Sequence, residues 1–310
     1  MAWLLLSGDG GKLSEEETLE ILVELGFDHR LAYSTDEGVD LVEFGTGEVY
    51  SIPQRADGLS TLGPYLLLYE GNRTLGVNPA SPTRIEVLSS GGRLVATDTV
   101  DVYAFVSPVG PSRPVDEVFV ARLDSGFIGE RLSVPATATI IAAQGLGVLV
   151  TPEDGGTVVP GIDGFEELAA GTVVAANADA WIETTCTDLD DIECETALVR
   201  TDSEQTVDLP SRLGQGAALA ISPDAAWVLH RDNDDAATFL EVASGSSTAI
   251  DGEVDPAVAW APDSTYVAWL EEDADAPILH VAFPDGREPM TVDLSVLGAA
   301  TRSGPAVMLL

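Results

Sequence analysis

The sequence predicts an all-β protein, a β-propeller of seven blades with six as the alternative, preceded by one short α-helix. Three observations predict it: regularly spaced short strands, an internal repeat of about forty residues, and a second hairpin that recurs along the chain. From Leu31 onward, short runs rich in Val, Ile, Leu, Thr, Tyr and Trp alternate with clusters of Gly, Pro, Asp and Ser. This rhythm is typical of sandwiches, barrels and propellers, and the repeat favours the propeller.

The repeat lies in the last third of the chain. Residues 218–229 align with residues 257–268 at a constant offset of 39 positions, and the alignment continues from residues 239–242 to residues 278–281. A period near forty with four strands per unit is typical of a propeller blade. Each copy has an apolar strand that ends in a Pro-Asp turn, where proline presets φ and the aspartate accepts hydrogen bonds from backbone amides.

A second hairpin recurs further back in the chain, because residues 42–53 match residues 199–210 in length and outline. Counting hairpins gives seven candidate blades, and the shortness of the fourth leaves six as the alternative. The predicted blades are residues 31–60, 64–98, 100–135, 137–168, 171–210, 215–252 and 255–298.

One helix is predicted before the first blade. Ser14 and Glu17 form a capping box, in which each side chain bonds the backbone of the other residue. Leu22 belongs to an apolar stripe behind this cap, and Gly26 supplies the C-terminal stop. No other helix is predicted with comparable support before the C-terminal tail.

The predicted domain organisation is a short N-terminal strand and helix, residues 1–30, followed by the propeller, residues 31–310. The apolar segments Trp3–Leu6 and Ala306–Leu310 are expected to pair with each other and close the ring. The first segment is too short for a signal peptide and lacks a positive flank. No stretch of the sequence is long enough to span a bilayer.

The charge is unusual: 52 acidic residues stand against 14 basic ones, for a net charge of −38. Such a surface repels nucleic acid and anionic lipid, so neither is an expected partner. The favoured interpretation is that the charge serves solubility. The alternatives are tolerance of high salt and a basic or cation-bridged partner.

The two cysteines, Cys186 and Cys194, flank an acidic, turn-like segment and continue into strand-like sequence on both sides. Two cysteines facing each other across a hairpin can reach disulfide geometry. A disulfide implies an oxidising compartment, and the expected location is therefore extracellular or at the cell surface, with an export signal absent from this sequence. The alternative is two free thiols in a cytoplasmic protein.

At its two Pro-Asp segments the chain resembles the WD40-like, TolB-type (PD40-like) propeller repeats of bacterial envelope proteins. Pro223 and Asp224 carry the likeness in one repeat, and Pro262 and Asp263 in the next. The resemblance covers these two repeats well and the other blades in outline. It implies a propeller fold and an envelope location, but no ligand, since one fold hosts many functions.

The sequence departs from that repeat pattern at two positions. The usual glycine after the aspartate is Ala225 in one repeat and Ser264 in the other, and the Trp-Asp dipeptide of true WD40 repeats is missing. The hairpin bracketed by Cys186 and Cys194 resembles one found in secreted, often lipid-anchored propellers of high-GC bacteria.

Candidates for catalysis are few. The chain has three histidines: His230 and His280 lie on predicted strands, and His29 lies in a loop after the helix. A Gly-x-Ser-x-Gly nucleophile elbow is absent from the sequence. Residues 8–13 lack the spacing and the Ser or Thr of a phosphate-binding loop. The sequence therefore assigns no catalytic, cofactor-binding or metal-binding residue.

Two acidic clusters, Asp188–Asp191 and Asp232–Asp235, could supply oxygen ligands for calcium. Neither fits the EF-hand pattern, because both lack the central glycine and the closing glutamate. Solvated hairpin tips are the favoured interpretation, and a calcium-stabilised module stays an alternative.

The sequence thus favours a monomeric, non-enzymatic scaffold at the bacterial cell envelope, without a cofactor, that binds a protein partner or a small ligand on a propeller face. The alternative is a carbohydrate- or peptide-active enzyme with its site at the mouth of the central channel. Such a site would bring several carboxylates or histidines with perturbed pKa values to the axis.

Overall fold

The computed structural model describes residues 13–310 except for short gaps. The gaps are residues 98, 100–101, 108–115, 123–125, 128–131, 136, 154, 162, 187–193, 204, 212, 214–217, 232–235, 253, 256, 272–274 and 305. The described residues form seven separate antiparallel sheets. The protein is a seven-bladed β-propeller with one α-helix, which confirms the predicted fold class and blade count.

Each blade is one sheet, and its strands follow one another outward from the axis of the ring. Blade 1 contains β29 (Val307–Leu309), β1 (Arg30–Ser34), β2 (Val39–Glu43) and β3 (Val49–Ile52). Blade 2 contains β4 (Gly58–Leu62), β5 (Tyr65–Glu70), β6 (Arg73–Val77) and β7 (Ile85–Ser89). Blade 3 contains β8 (Arg93–Ala96), β9 (Val102–Ser107) and β10 (Asp116–Arg122), with β11 (Gly126–Phe127) and β12 (Leu132–Val134) both paired to β10.

The remaining four blades each have four strands in chain order. Blade 4 contains β13 (Thr139–Ala143), β14 (Gly147–Thr151), β15 (Thr157–Pro160) and β16 (Phe165–Ala169). Blade 5 contains β17 (Thr172–Ala176), β18 (Ala180–Cys186), β19 (Cys194–Arg200) and β20 (Thr206–Leu209). Blade 6 contains β21 (Ala218–Ile221), β22 (Trp227–Arg231), β23 (Ala237–Glu241) and β24 (Ser247–Ala249). Blade 7 contains β25 (Ala259–Trp260), β26 (Val267–Leu270), β27 (Ile278–Ala282) and β28 (Met290–Asp293).

The first strand of each blade lies nearest the axis, because these strands contact one another from blade to blade. Examples are β29 with β4, β8 with β13, β13 with β17, β17 with β21, and β25 with β29. Since each blade is an antiparallel meander, its turns alternate between the two ends of the ring. We call the end where the innermost strands begin the upper face. It also carries the turns between second and third strands, and the lower face carries the other turns.

The C-terminal strand closes the ring. β29 is the innermost strand of blade 1 and pairs with β1, so that Leu309 lies opposite Leu31 and Val307 opposite Tyr33. The C-terminal segment thus closes the ring by pairing with Arg30–Ser34. The other predicted partner, Trp3–Leu6, lies outside the described residues.

The first three predicted blade ranges are wrong by one strand, since 100–135 also omits the innermost strand of blade 3, β8. Residues 31–60 were expected to be one blade, but β4 begins at Gly58 and is the innermost strand of the next. Residues 64–98 likewise include β8, which belongs to blade 3. The cause is ring closure: because blade 1 takes its innermost strand from the C-terminus, counting from Leu31 starts at a second strand. From blade 4 onward each predicted range contains the strands of one sheet, except that Ala169 at the end of β16 lies one residue outside 137–168.

The internal repeat occupies equivalent positions in blades 6 and 7. Val228 and Val267 lie at the same place on the two second strands, as the sequence predicts. The predicted match of the third strands is wrong, however. Val228 pairs with Leu240, but Val267 pairs with Ala282 instead of Leu279. The turn between the second and third strands is three residues longer in blade 7 than in blade 6. Leu240 of blade 6 therefore corresponds to Ala282 of blade 7 and not to Leu279.

Neighbouring blades pack face to face, so central strands are buried on both sides. In β5 the consecutive residues Leu66, Leu67 and Leu68 are all fully buried. Because strand side chains alternate in direction, Leu66 and Leu68 pack in the cluster shared with blade 1, and Leu67 packs in the cluster shared with blade 3. Each such leucine stabilises the fold by roughly 1.5–3 kcal/mol.

Helix α1 (Glu15–Gly26) covers the seam between blades 7 and 1. The predicted capping box is present, because the Glu17 N–H donates to the Ser14 hydroxyl and the Ser14 N–H donates to the Glu17 carboxylate. These bonds from Ser14 hold the pKa of Glu17 below its usual value. Leu22 and Leu25 are buried in the cluster between the two blades. Among the described residues no helix has the length and apolar character to cross a bilayer.

Candidate functional site

A cavity of about 400 Å³ opens on the upper face beside the closure of the ring. Three segments that are distant in sequence meet there: the end of β1 with its following turn, the link into β4, and the link into β29. The residues that line it are Ser34, Thr35, Asp36, Arg55, Ala56, Asp57, Ser303 and Gly304. The cavity therefore exists only in the closed ring.

Ser34 ties the three segments together. Its N–H donates to the Ala306 carbonyl at 3.0 Å, and its carbonyl accepts from the Ser303 N–H at 3.0 Å. Its hydroxyl donates to the Ala56 carbonyl at 2.8 Å. Ser34 is buried, so these bonds are shielded from water, and the cavity floor is held by backbone groups from every segment that builds it.

A tight turn after β1 forms one side of the cavity. The Thr35 N–H donates to the Gly38 carbonyl at 2.8 Å, and the Gly38 N–H donates to the Thr35 hydroxyl at 3.1 Å. A Cβ atom at Gly38 would overlap the carbonyl oxygen of Ile52. The turn therefore requires glycine at this position, and it places Asp36 in the cavity wall.

Two opposite charges in the cavity lining have no partner. Within the described part of the chain, Arg55 and Asp36 make neither a hydrogen bond nor an ion pair, and both are exposed. The third charged residue of the lining, Asp57, is engaged: its carboxylate accepts from the Gly71 N–H at 2.9 Å and lies 4.0 Å from the Arg93 guanidinium.

Among the arginines that the structure describes, Arg55 is exceptional in having no partner. Every other arginine in the described ranges makes a hydrogen bond, an ion pair, or another electrostatic or ring contact. Arg30 pairs with Glu43, for example, and Arg84 with Glu86. With 52 acidic residues against 14 basic ones, most arginines find an acidic partner. The unpaired guanidinium of Arg55 therefore distinguishes this cavity from the rest of the described surface.

Residues 298–306, which we call the closing segment, form the link into β29. The Tyr33 hydroxyl donates to the Ala300 carbonyl at 2.9 Å, and the Ala300 N–H donates to the Asp40 carboxylate at 2.9 Å. Burial, with the charge of Asp40, raises the pKa of Tyr33 well above its usual value. The phenol therefore stays protonated and keeps its role as a donor.

Arg302 anchors the same segment from within. It is 1% exposed, and its guanidinium donates to the carbonyls of Leu270 at 2.6 Å and Gly304 at 2.7 Å. It also lies 2.9 Å from the Asp255 carboxylate. The buried Arg302 thus holds the next two residues of the closing segment, Ser303 and Gly304, in the cavity wall.

The predicted disulfide between Cys186 and Cys194 is present. The two residues lie directly opposite each other on β18 and β19, with their Cα atoms 4.2 Å apart. The bond crosses the hairpin where it reaches the upper face. The acidic segment between the cysteines, residues 187–193, lies outside the described residues, as does the second acidic cluster, Asp232–Asp235.

The repeat-signature residues lie on the lower face, away from the cavity. Pro223 and Asp224 occupy the turn between β21 and β22, and Pro262 and Asp263 the turn between β25 and β26. The Asp263 carboxylate accepts from the Thr265 N–H at 3.2 Å and from its hydroxyl at 2.6 Å. These bonds match the turn geometry that the sequence predicts and give the four residues a structural part in the blades.

The two departures from the repeat pattern follow the geometry of glycine. Ala225 has a φ of 54° and Ser264 a φ of 64°, in the left-handed region that glycine enters most easily. The backbone of the turn is thus kept although the glycine is not. Ser264 also has a side chain to use: its hydroxyl accepts from the Asp224 N–H at 3.1 Å and links blades 6 and 7.

The turn of blade 6 is held from both neighbours. From blade 5, the Arg200 guanidinium donates to the carbonyls of Asp224 and Ala225 at 3.1 and 2.9 Å. Burial of the Asp224 carboxyl opposes its ionisation, but hydrogen bonds from the Ser222 hydroxyl and the Ala226 N–H outweigh this. The pKa of Asp224 is therefore lowered.

Each of the three histidines packs against or within the blades, away from the cavity. Nδ1 of His29 lies 2.9 Å from the Tyr266 hydroxyl, at the seam beside α1. His230 is fully buried within blade 6. His280 stacks on Trp269 with ring centroids 5.2 Å apart, and its Nε2 lies 2.8 Å from the Glu271 carboxylate. In the ranges that the structure covers, no three His, Cys, Asp or Glu side chains are grouped as metal ligands.

Sequence reasoning missed the cavity residues. Arg55 and Asp36 belong to no motif, and each resembles an ordinary solvated charge in a loop. The closing segment that completes the cavity is more than two hundred residues away along the chain. One signal was available: Arg55 is one of few basic residues in a very acidic chain, next to a predicted blade boundary.

No family model matches the sequence, and no curated protein matches it. Solved structures do match. TolB from Acinetobacter baumannii shares 10% sequence identity, with 91% of this chain and 67% of that chain covered and a TM-score of 0.53. A putative 6-phosphogluconolactonase from Bacteroides uniformis shares 13% identity, with 91% and 99% covered and a TM-score of 0.49. This chain is therefore a seven-bladed β-propeller whose fold is similar to that of TolB.

Proposed function

We propose that this propeller is a non-enzymatic scaffold that binds a protein partner on its upper face, at the bacterial cell envelope. The observation that carries the proposal is the cavity beside the ring closure. Arg55 and Asp36 have no partner there among the described residues, while hydrogen bonds hold the surrounding backbone. Because the backbone beside these charges is already ordered, a ligand has to order only the two side chains.

The net charge supports a partner with a basic surface. At −38, long-range attraction speeds the approach of a positively charged protein and weakens as salt is added. The same charge opposes nucleic acid and anionic lipid. We therefore expect association that slows steeply with ionic strength.

The disulfide supports the location. A bond between Cys186 and Cys194 persists in oxidising compartments and is rare in the cytosol. The likeness of the fold to TolB agrees with an envelope location. Together they favour an exported protein over a cytoplasmic one.

The test compares the two faces with matched charge reversals. Glu37→Arg lies in the turn beside the cavity, and Asp202→Arg lies on the lower face; both positions are exposed. Purified variants are immobilised, and binding of envelope proteins from the native host is measured at low and high salt. We expect Glu37→Arg to lose a salt-sensitive partner that the wild type and Asp202→Arg retain. Equal binding by all three proteins, or a loss confined to Asp202→Arg, would contradict the proposal.

A further inference from the structure

The cavity on the upper face has a chemistry that restricts what it can bind. Its eight lining residues include a cation and an anion that are unpaired among the described residues, three hydroxyl side chains and no aromatic ring. Two of the hydroxyls, those of Ser34 and Thr35, already bond the backbone. A sugar site normally offers an aromatic face on which the ring stacks, and these eight residues lack one. The lining instead suits a ligand with both charges and several backbone-like polar groups, as a peptide has.

Arg55 indicates which anionic group of a ligand the cavity can bind. A guanidinium presents its N–H donors in a planar fork that matches a carboxylate, with two parallel hydrogen bonds. No acidic side chain in the described residues pairs with Arg55. A ligand carboxylate therefore need not displace an internal partner. Asp57, the nearest charged residue in sequence, is already engaged by the Gly71 N–H.

Asp36 indicates which cationic group of a ligand the cavity can bind. It lies in the tight turn closed by Thr35 and Gly38, so its backbone position is set before a ligand binds. A carboxylate without a partner in a cavity favours a basic side chain or an ammonium group. The pair Arg55 and Asp36 is thus complementary to a ligand that carries a carboxylate and a nearby cation.

We propose that this cavity receives the free carboxyl terminus of a partner polypeptide. The terminal carboxylate binds Arg55, and a basic side chain near that terminus binds Asp36. The volume of about 400 Å³ lies within the range of about 300–1,000 Å³ that small-ligand sites occupy, which suits a few terminal residues. The inference rests on the proposed function, since it names the part of the partner that the upper face binds.

The experiment uses a library of random tetrapeptides with acetylated N-termini, prepared once with free carboxyl termini and once as amides. Each library is passed over the immobilised full-length protein, and retained peptides are quantified by mass spectrometry. We expect free-carboxyl peptides to be retained at least about tenfold better than the amides, since hydrogen bonds between charged groups are lost on amidation. We also expect enrichment of Arg and Lys near the terminus.

Substitutions at Arg55 and Asp36 test which part of the peptide each charge binds. Arg55→Gln should abolish the preference for free carboxyl termini, and Asp36→Asn should keep that preference but remove the enrichment of basic residues. Arg84→Gln is the matched control, because its side chain is 79% exposed and lies outside the cavity; it should behave as the wild type.

Four outcomes would overturn the proposal: no peptide is retained, amides are retained equally well, Arg55→Gln retains the preference, or free arginine competes as strongly as the peptides. The last outcome would identify a small amino-acid ligand. If Glu37→Arg still blocks a native partner while no peptide is retained, the peptide-terminus inference fails and the proposed function stands.

Discussion

The two faces of this propeller differ in how their polar groups are used. On the lower face, the Pro-Asp turn of blade 6 is bonded from both sides, with Arg200 and Ser264 reaching it from the neighbouring blades. On the upper face, Arg55 and Asp36 line a cavity and have no partner in the described part of the chain. The polar groups of this turn stabilise the fold, whereas the two charges make no contact within the described residues. If the proposed function is right, the lower-face turn serves the fold and the upper-face cavity serves recognition.

The upper face nevertheless contains one strongly stabilising charge, and it gives the largest expected effect. Arg302 is buried, and its guanidinium lies 2.9 Å from the Asp255 carboxylate. Arg302→Ala leaves that carboxylate without its cation and frees the closing segment. We expect it to lower the free energy of unfolding by about 3 kcal/mol, measured by urea denaturation.

The control for Arg302 is an exposed arginine. Arg84→Ala removes a side chain that is 79% exposed, and we expect a change within about 0.5 kcal/mol. Adding Asp255→Ala to Arg302→Ala should restore part of the lost stability, because it removes the uncompensated charge. A loss below about 1 kcal/mol for Arg302→Ala would show that the ring closure does not depend on this arginine.

The disulfide gives the next largest effect. Replacing Cys186 and Cys194 by alanine opens the short loop between β18 and β19. In the chain-entropy account this lowers stability by roughly 2–3 kcal/mol. Thermal unfolding with and without a reductant measures it: the reductant should lower the Tm of the wild type and leave that of the double variant unchanged.

Asp224 gives a smaller effect that depends on pH. Its pKa is lowered in the folded protein, so its contribution to stability is present above the unfolded value of about 3.9. That contribution is lost as the pH falls through the folded value. Asp224→Asn should cost about 1 kcal/mol at neutral pH, and the difference from wild type should shrink on acidification below about pH 4.

Urea unfolding of both proteins between neutral and acidic pH tests this expectation. Asp202→Asn, an exposed residue on the same face, serves as the control and should match the wild type at every pH. A difference between Asp224→Asn and wild type that grew toward low pH would contradict the assigned direction of the shift.

Local patterns explain which parts of the fold the sequence predicts. The Pro-Asp turns, the capping box at Ser14 and the pairing of Cys186 with Cys194 each depend on residues close together in the chain. Their physics is contained in a short window, and the structure shows all three. The number of blades follows too, because each hairpin repeats the same local pattern.

Long-range contacts explain what the sequence did not predict. The identity of the strand paired with Val307–Leu309 depends on where a distant segment lies, and that choice set the blade boundaries near the N-terminus. The cavity has the same origin, because Ser34 bonds residues from two remote segments. A loop three residues longer in blade 7 was likewise invisible in an alignment of two apolar strands.

The smallest expected effect tests the contrast between the faces most directly. If Arg55 and Asp36 have no partner in the folded protein, then Arg55→Gln and Asp36→Asn remove nothing that holds the fold together. Both should leave the free energy of unfolding within about 0.5 kcal/mol of wild type, as measured by urea denaturation. A loss above about 1 kcal/mol would mean that these charges stabilise the ring after all. Neutral stability combined with lost partner binding would place their role in recognition, because the two charges would then matter only when another molecule is present.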